Sequence, residues 1–447
     1  MTPSLTDLTE ALLTAARRAG AEAADALAID GRSVSIDIRA GALEQAERAE
    51  GTEIGLRVLI GRRQAFVSAS DLSDRTITTL AERAVAMARE APEDPTAGIA
   101  DPSQLARDWD PAALDLVDRG PEPDAATLEA IARRIEATAM GHAGITQVEA
   151  SASSYHRRVE FAASNGFRGG YALTGHSASG VAFTGEGTAM ERDWAGEGRT
   201  HAADMPSPEE IGTLAATRTL ERKGAVKPKT GTYAVVYDER VAGGMIGHLL
   251  SAINGASIAR GSSWLRGSMG QQVLPAGLSV TEDPFRPRIG SSRPFDGEGL
   301  PRQCRAFVRD GILESWVLDL ASGRKLGLPS TGNAARATGS PPGPSTTNID
   351  LTPGSVTRAD LLAQMGTGLL VTSMIGSTIN PNTGDYSRGA SGFWVERGEI
   401  QYPVNECTIA GNLRDMLMRI VPANDARQHL SMRVPSLLVE GMTLAGA

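Results

Sequence analysis

The first part of the chain alternates between helical and strand patterns of apolar residues. Leu5, Leu8, Leu12 and Leu13 recur at helical spacing, which predicts an amphipathic helix that ends at Gly20. Apolar and polar residues then alternate over 34–38, 55–60 and 65–69, which is typical of half-buried strands. A second helix is predicted over 74–91 and ends before Pro92. The opening region is therefore one helix–β-meander–helix unit.

A second unit of the same kind follows. Helices are predicted over 123–141 and 206–221. Strands are predicted between them over 147–153, 158–163, 169–174 and 177–184. The turn predicted at Glu50-Gly51 corresponds to Asn165-Gly166, which favours an internal repeat. Chance similarity between two β-meanders remains the alternative.

After residue 223 the pattern changes to short strands and turns. A β run over 231–237 precedes Asp238, a predicted helix cap, and an amphipathic helix ending near Asn254. Further strands are predicted at 260–267, 303–309 and 312–318, with a closing strand pair at 435–444. We predict an α+β fold with helix–β-meander–helix units and a β-rich, barrel-like C-terminal domain. The predicted divisions are 1–95, 96–222 and 223–447.

The stretch 380–412 stands out for its polar chemistry. A β-hairpin is predicted from 392–396 and 400–404, because aromatic and β-branched residues flank a turn at 397–399. The loop over 380–389 precedes it, and an Asp385–Arg388 pair is expected across this loop. The candidate groove or interface residues are His248, Asn380, Asp385, Tyr386, Arg388 and Ser391. A purely structural loop is the alternative, and an exposed sheet edge beside it could accept an extended peptide.

Composition and charge make several classes of protein less favoured. The net charge of −9 and a pI near 5.4 argue against nucleic acid as a partner. Cys304 and Cys407 are far apart and without a CxxC motif, which predicts reduced thiols. No signal peptide and no membrane-length apolar run is seen, so we expect a cytoplasmic protein that does not enter a membrane.

No complete catalytic motif can be read from the residues. None of the six histidines is followed by glutamate, so neither HExxH nor HExxxH occurs. His248 lies on the amphipathic helix, where a polar residue at the border of a core face is the simpler interpretation. The sequence has neither a phosphate-binding GxxxxGK[ST] motif nor a nucleophile elbow placed between a strand and a helix.

The stretch NPNTGDYSRGASGFWVERGEIQYPV, followed by TIAGNL, resembles the C-terminal signature of the TldD/PmbA family. The segment AGGMIGHLLSAING at 242–255 resembles the PmbA branch, also called TldE. The resemblance covers essentially the whole chain. It implies a heteromeric zinc metallopeptidase acting on peptides and unfolded small proteins, in which a TldD-type subunit carries HExxxH and a cysteine near its C-terminus. Some members are named modulators of DNA gyrase.

The resemblance assigns no zinc to this chain. His248 matches the second histidine of HExxxH, but Gly243 and Gly244 stand where a ligand and the general base would be. Cys407 falls too early to match the cysteine. The expectation is a subunit without cofactor or catalytic residues, inactive alone, paired with a zinc-bearing partner. A non-catalytic homodimeric peptide-binding or regulatory protein is the alternative, and direct nucleic-acid binding is a weaker third.

Overall fold

The computed structural model describes residues 3–447 and confirms the predicted α+β class. The first unit begins with a helix. The side chain of Ser4 caps its N-terminus, and Gly20 ends it in a left-handed conformation. The elements of this unit are α1 (Leu5–Ala19), β1 (Ala23–Arg39), β2 (Ala42–Ile60), β3 (Arg63–Ala69) and α2 (Asp74–Glu90).

The second unit repeats this order of elements. It comprises α3 (Ala125–Met140), β4 (Ile145–Ala163), β5 (Arg168–Thr184), β6 (Glu191–Arg199) and α4 (Pro208–Glu221). Both units share one six-stranded sheet in the order β3-β2-β1-β4-β5-β6, with β1 and β4 antiparallel at its centre. The predicted turn at Glu50-Gly51 is wrong, because these residues continue β2 and the hairpin turns at Ala40-Gly41. Polar residues such as Glu50 fit within a strand here, because this part of the β1–β2 hairpin is exposed to solvent.

Side-chain alternation gives the sheet two different faces. Ala24, Ala26 and Ala28 of β1 join the core beneath α1 and α2. Leu27, on the opposite face, instead packs with Phe161 and with Phe295 of the C-terminal region. The helices therefore cover one face, and the other face provides a contact with the rest of the chain.

The C-terminal region is built from a barrel and a smaller sheet. Its helices are α5 (Glu239–Ala252), α6 (Gly255–Arg260), α7 (Leu320–Leu326), α8 (Arg358–Met365) and α9 (Leu413–Leu417). Its longer strands are β7 (Gly231–Tyr237), β14 (Gly368–Ile379), β15 (Asp385–Glu396), β16 (Glu399–Asn412) and β19 (Leu437–Ala445). Its shorter strands are β8 (Val280–Glu282), β9 (Arg305–Arg309), β10 (Ile312–Leu313), β11 (Ala334–Ala335), β12 (Gly343–Pro344), β13 (Ile349–Leu351), β17 (Val421–Pro422) and β18 (Met432–Arg433).

Five of these strands close into a barrel. The order β16-β15-β14-β7-β19 returns to its start because β16 also pairs with β19, for example Ile409 with Leu444. Closure removes the exposed sheet edges along the paired segments. Val235 and Leu369 belong to the same core as α5, whereas their neighbours Val236 and Leu370 pack with α8. The barrel-like domain expected from the sequence is confirmed.

Several local predictions differ from the structure. The two strands predicted over 147–163 are one strand, β4, and the two predicted over 169–184 are one strand, β5. Of the strand predicted at 312–318, only Ile312–Leu313 is formed, as β10. The polar loop is shorter than expected, because β15 already begins at Asp385 and pairs with Asn412. The segment 260–267 forms the end of α6 and turns instead of a strand. The closing strand pair is one bulged strand, β19, in which Gly441 has a positive φ of 75° at the bulge.

Candidate functional site

Helix α5 places His248 beside the barrel strand β15. Asp238 starts the helix by accepting a hydrogen bond from the backbone N–H of Arg240. The apolar stripe of the helix is buried in the barrel core, and His248 is half-buried next to it. Its ring meets that of Tyr386 edge-on, with 5.8 Å between centroids. The site is thus a single imidazole in contact with one tyrosine ring.

The surroundings of His248 favour its neutral form. Burial lowers its pKa, and the charge of Arg388 lowers it further. Its Nε2 atom is buried, and no group within residues 3–447 forms a hydrogen bond with it. This nitrogen is therefore a free donor or acceptor at neutral pH, depending on the tautomer.

Tyr386 lies inside the barrel and not on its surface. The side chain is only 3% exposed, and its hydroxyl lies 3.9 Å from the sulfur of Met374. Burial raises the pKa of Tyr386 to about 12, and burial also raises the pKa of Tyr237 beside it. Both phenols stay protonated and shape the core under His248.

The expected ion pair between Asp385 and Arg388 does not form in the described structure. Residues three apart in a strand point to opposite faces, and both lie in β15. Asp385 accepts hydrogen bonds from Thr383 at 2.6 Å and from Asn412 at 3.1 Å. Arg388 donates from Nε to the carbonyl of Gly376 at 2.7 Å. Arg388 thereby faces β14 and the His248 side of the barrel.

Two further predicted residues have structural contacts. Asn380 is exposed, and its side-chain oxygen accepts the backbone N–H of Asn382 at 3.0 Å, which holds the turn before β15. Ser391 accepts a hydrogen bond of 2.6 Å from Arg222 at the end of α4. Arg222 also lies 3.4 Å from Asp193 of β6. Ser391 therefore links the barrel to the second αβ unit, a contact that its sequence context did not indicate.

Strand β14 leaves one edge free close to these groups. Its first residues pair with β7, up to Val371. From Ser373 to Ile379 it pairs only with β15 among the described residues. This free edge of β14 (373–379) includes Ile375, which is 75% exposed. It also includes Gly376, which has a positive φ of 66° and whose carbonyl already accepts the hydrogen bond from Arg388. An unpaired strand edge offers backbone hydrogen-bonding groups to an added strand.

The α5 face does not fit a catalytic zinc. Such a site needs three protein ligands, and within residues 3–447 no group of three or more His, Cys, Asp or Glu could hold a metal ion. Gly243 and Gly244 supply no donor next to His248. A β-carbon on Gly244 would have Arg388 Nη1 at 4.0 Å, and one on Gly243 would meet the sulfur of Met432 at 3.4 Å. A guanidinium beside the imidazole repels a divalent cation.

The architecture defines a class: two joined αβ units on one sheet, followed by a closed β-barrel with a glycine-rich helix. The family models give its name. The PmbA/TldA metallopeptidase domain 1 matches residues 24–88, the central domain 118–223 and the C-terminal domain 230–446. The chain belongs to the PmbA/TldD family.

Relatives along nearly the whole chain agree with this membership. Metalloprotease PmbA of Escherichia coli O157:H7 is 38% identical over 92% of this chain and 90% of its own length. A PmbA homolog of Haemophilus influenzae is 36% identical over 96% and 94%. A crystal structure from Bacteroides thetaiotaomicron, titled as a modulator of DNA gyrase, has a TM-score of 0.91, 25% identity and 99% coverage of both chains.

A more distant structure shares the fold. TldE from Thermococcus kodakarensis has a TM-score of 0.85 and 18% identity, covering 98% of this chain and all of that one.

The helices within residues 3–447 are all too short or too polar to span a lipid bilayer.

Proposed function

We propose that this chain is the non-zinc subunit of a heteromeric metallopeptidase, and that it pairs with a TldD-type zinc subunit. The observation that carries the proposal is the α5 face: His248 has glycines in place of further donors and a guanidinium close by. The relatives are named metalloproteases, yet the donors of a catalytic zinc are missing at this face. Because relatives are named metalloproteases and α5 lacks the donors for a catalytic zinc, we place the catalytic metal on a partner chain.

The substrate class proposed is an extended, unfolded peptide. The free edge of β14 (373–379) supports this, because a peptide adding as a strand is held by backbone hydrogen bonds that do not depend on its sequence. Arg388 contacts Gly376 of this edge, and His248 contacts Tyr386 on the adjacent strand β15. In this role the chain positions peptide and completes the groove, and its own residues take no chemical step.

The central experiment compares the chain alone with the chain plus a TldD-type partner. We expect the purified chain to hold less than stoichiometric zinc after dialysis and to leave unfolded casein intact. Co-expression with the partner is expected to give a stable heteromer that hydrolyses it. Stoichiometric zinc together with cleavage by the chain alone would overturn the assignment. A chain that binds peptide and forms only homodimers would favour the non-catalytic, regulatory alternative.

The edge is tested separately by peptide binding. Ile375→Asp removes an exposed apolar side chain and adds charge to the free edge of β14. We expect it to weaken binding of a short, unstructured, fluorescein-labelled peptide about tenfold, or about 1.4 kcal/mol. Leu43→Asp is the matched control, because Leu43 is 47% exposed on a distant strand. Equal affinity of both variants would exclude this edge as the peptide site.

A further inference from the structure

A cavity lies between the N-terminal sheet and loops of the C-terminal region, away from His248 and the free edge of β14. Its volume is about 190 Å³, enough for roughly six water molecules at about 30 Å³ each. The floor is the sheet face that carries no helices. It is formed by apolar and aromatic side chains of β1, β4 and β5: Leu27, Ile29, Val159, Phe161, Tyr171 and Leu173.

Two arginines with buried side chains line the other side. The side chain of Arg302 is 4% exposed and that of Arg336 is 2% exposed. Arg302 donates from Nη2 to the carbonyl of Ala334 at 3.2 Å, and Arg336 pairs through Nη1 with Asp25. Nε and Nη1 of Arg302, and Nε and Nη2 of Arg336, have no hydrogen-bond partner in the described part of the chain. Buried donors without an acceptor are costly, about 1–3 kcal/mol or more for charged groups.

The charges around the cavity are predominantly positive. Arg157 and Arg293 join Arg302 and Arg336 in its lining, whereas Asp296 is the only lining carboxylate in the range 3–447. Both oxygens of Asp296 already accept backbone N–H groups, including that of Ala334 at 3.0 Å.

Two carboxylates that pair with the buried arginines, Asp25 and Glu282, are also engaged. Asp25 is shared with Arg57, whose Nε donates to it at 2.8 Å. Glu282 is 3.9 Å from Arg302 Nη1, beyond hydrogen-bonding distance, and accepts bonds from Asn333 and Thr347. The free donors of the two buried arginines therefore lack an anionic acceptor.

We propose that this cavity binds a small carboxylate with an apolar or aromatic body. A carboxylate accepts two N–H groups from a guanidinium in a planar, charge-assisted arrangement, and Arg302 and Arg336 together offer four free nitrogens. The apolar body packs against the side chains of the sheet floor. The rings of Phe161 and Tyr171 already hold the guanidinium groups of Arg336 and Arg293, at 5.5 and 5.2 Å from the ring centroids, so they also fix these two charges at the cavity. The site shares no lining residue with α5 or β14, so it is independent of the peptide edge.

The ligand is tested with sodium benzoate as the probe, by calorimetry on the full chain at low ionic strength. We expect saturable binding of benzoate at a one-to-one ratio. Benzamide, which has the same shape but no charge, is expected to bind at least tenfold more weakly. Equal binding of the two, stronger binding of inorganic phosphate, or no benzoate binding would each overturn the assignment.

Variants locate the binding. Arg302→Met keeps an unbranched, flexible stem but removes the guanidinium, and is expected to lower benzoate affinity at least tenfold. Arg157→Met changes an exposed arginine at the cavity, where folding is not at risk, and is expected to lower affinity two- to threefold. Arg48→Met, an arginine on the distant β1–β2 ribbon, is the matched control. Unchanged affinity in Arg157→Met and in a folded Arg302→Met would place binding elsewhere and overturn the proposal.

Discussion

The N-terminal sheet and the C-terminal region are both built from helices and strands, but they differ in how many buried polar side-chain atoms within residues 3–447 lack a hydrogen-bond partner. In the sheet, two αβ units pair strand by strand, and the helices cover one face. Among the described residues, buried side-chain atoms without a hydrogen-bond partner occur before residue 230 only at His176 and Arg222. The others lie in the C-terminal region, among them Tyr237, His248, Arg302, Arg336 and Thr372. Folding alone does not favour such groups.

This contrast separates the two regions in which we propose binding from the rest of the molecule. Native structures keep few buried polar groups without partners, and each calls for a reason. Here His248 and Thr372 lie on α5 and β14, and Arg302 and Arg336 line the cavity, whereas Arg427 and His429 lie beside Glu197 instead. The sheet acts as a scaffold, and the C-terminal region retains groups that a ligand or partner could satisfy.

The largest expected effect comes from breaking the contact between the two regions. Asp25 of β1 is 1% exposed and holds both Arg57 and Arg336. Asp25→Ala leaves two buried guanidinium groups without their carboxylate, which we expect to lower the free energy of unfolding by about 3–5 kcal/mol. Urea unfolding followed by circular dichroism measures it.

Glu50→Ala serves as the control for Asp25→Ala. It breaks the Arg48–Glu50 pair, in which both side chains are more than 60% exposed, and should change stability by less than about 0.5 kcal/mol. A loss below about 1 kcal/mol in Asp25→Ala would show that the two regions are not joined through this carboxylate.

The same residue predicts a pH dependence. Burial disfavours the Asp25 carboxylate, but the charges of Arg336 and Arg57 outweigh this and hold its pKa below its usual range. A lowered folded-state pKa stabilises the protein above the unfolded-state pKa of about 3.9, and that stability is lost as the pH falls through the folded-state value. The acid decline of stability below about pH 4 should therefore be shallower in Asp25→Ala than in the wild type.

A pair of glycines gives the next largest effect. A β-carbon on Gly392 of β15 would lie 1.8 Å from the carbonyl oxygen of Leu370 on the neighbouring strand β14, whereas one on Gly31 of β1 meets nothing within 4 Å. We expect Gly392→Ala to cost about 1–3 kcal/mol through overpacking. Gly31→Ala should be neutral or slightly stabilising, because it restricts the unfolded chain. Similar losses for both in thermal unfolding would contradict the close strand approach in the barrel.

Most of the fold was predictable from local patterns. Period-two alternation and caps such as Asp238 are local, so the helices of the αβ units, the amphipathic helix and the hairpin could be read directly. The repeat of the two units was left open, and the turn at Glu50-Gly51 that suggested it is part of β2. The length of β15 was missed because the polar residues 385–389 pair as a strand through Asn412 and its neighbours. Polar composition identifies a loop only when no partner strand is present.

The candidate site was less predictable, since it depends on contacts between distant segments. Ser391 meets Arg222 across 169 positions, and Arg336 meets Asp25 across 311. No spacing rule connects such residues. Tyr386 looked like a contact residue in a polar stretch, but strand alternation turns it into the core. The free edge of β14 followed from where its pairing with β7 stops at Val371, which no sequence pattern shows.

The smallest effect concerns the electrostatics of His248. Burial lowers its pKa first, and the charge of Arg388 adds to this, so Arg388→Met should move the pKa back towards its ordinary value of about 6.5 without reaching it. A histidine with a lowered folded-state pKa is fully stabilising above about pH 6.5 and loses stability as the pH falls towards the folded-state value. The variant should therefore lose less stability between these two values. NMR titration of the histidine rings measures the shift of the pKa, and the His248→Gln variant assigns the His248 signal. Arg419→Met is the control, because Arg419 is an exposed arginine of the C-terminal region. An unchanged pKa in Arg388→Met would show that the guanidinium does not act on the imidazole, and would remove the repulsion that we invoke against a metal at this face.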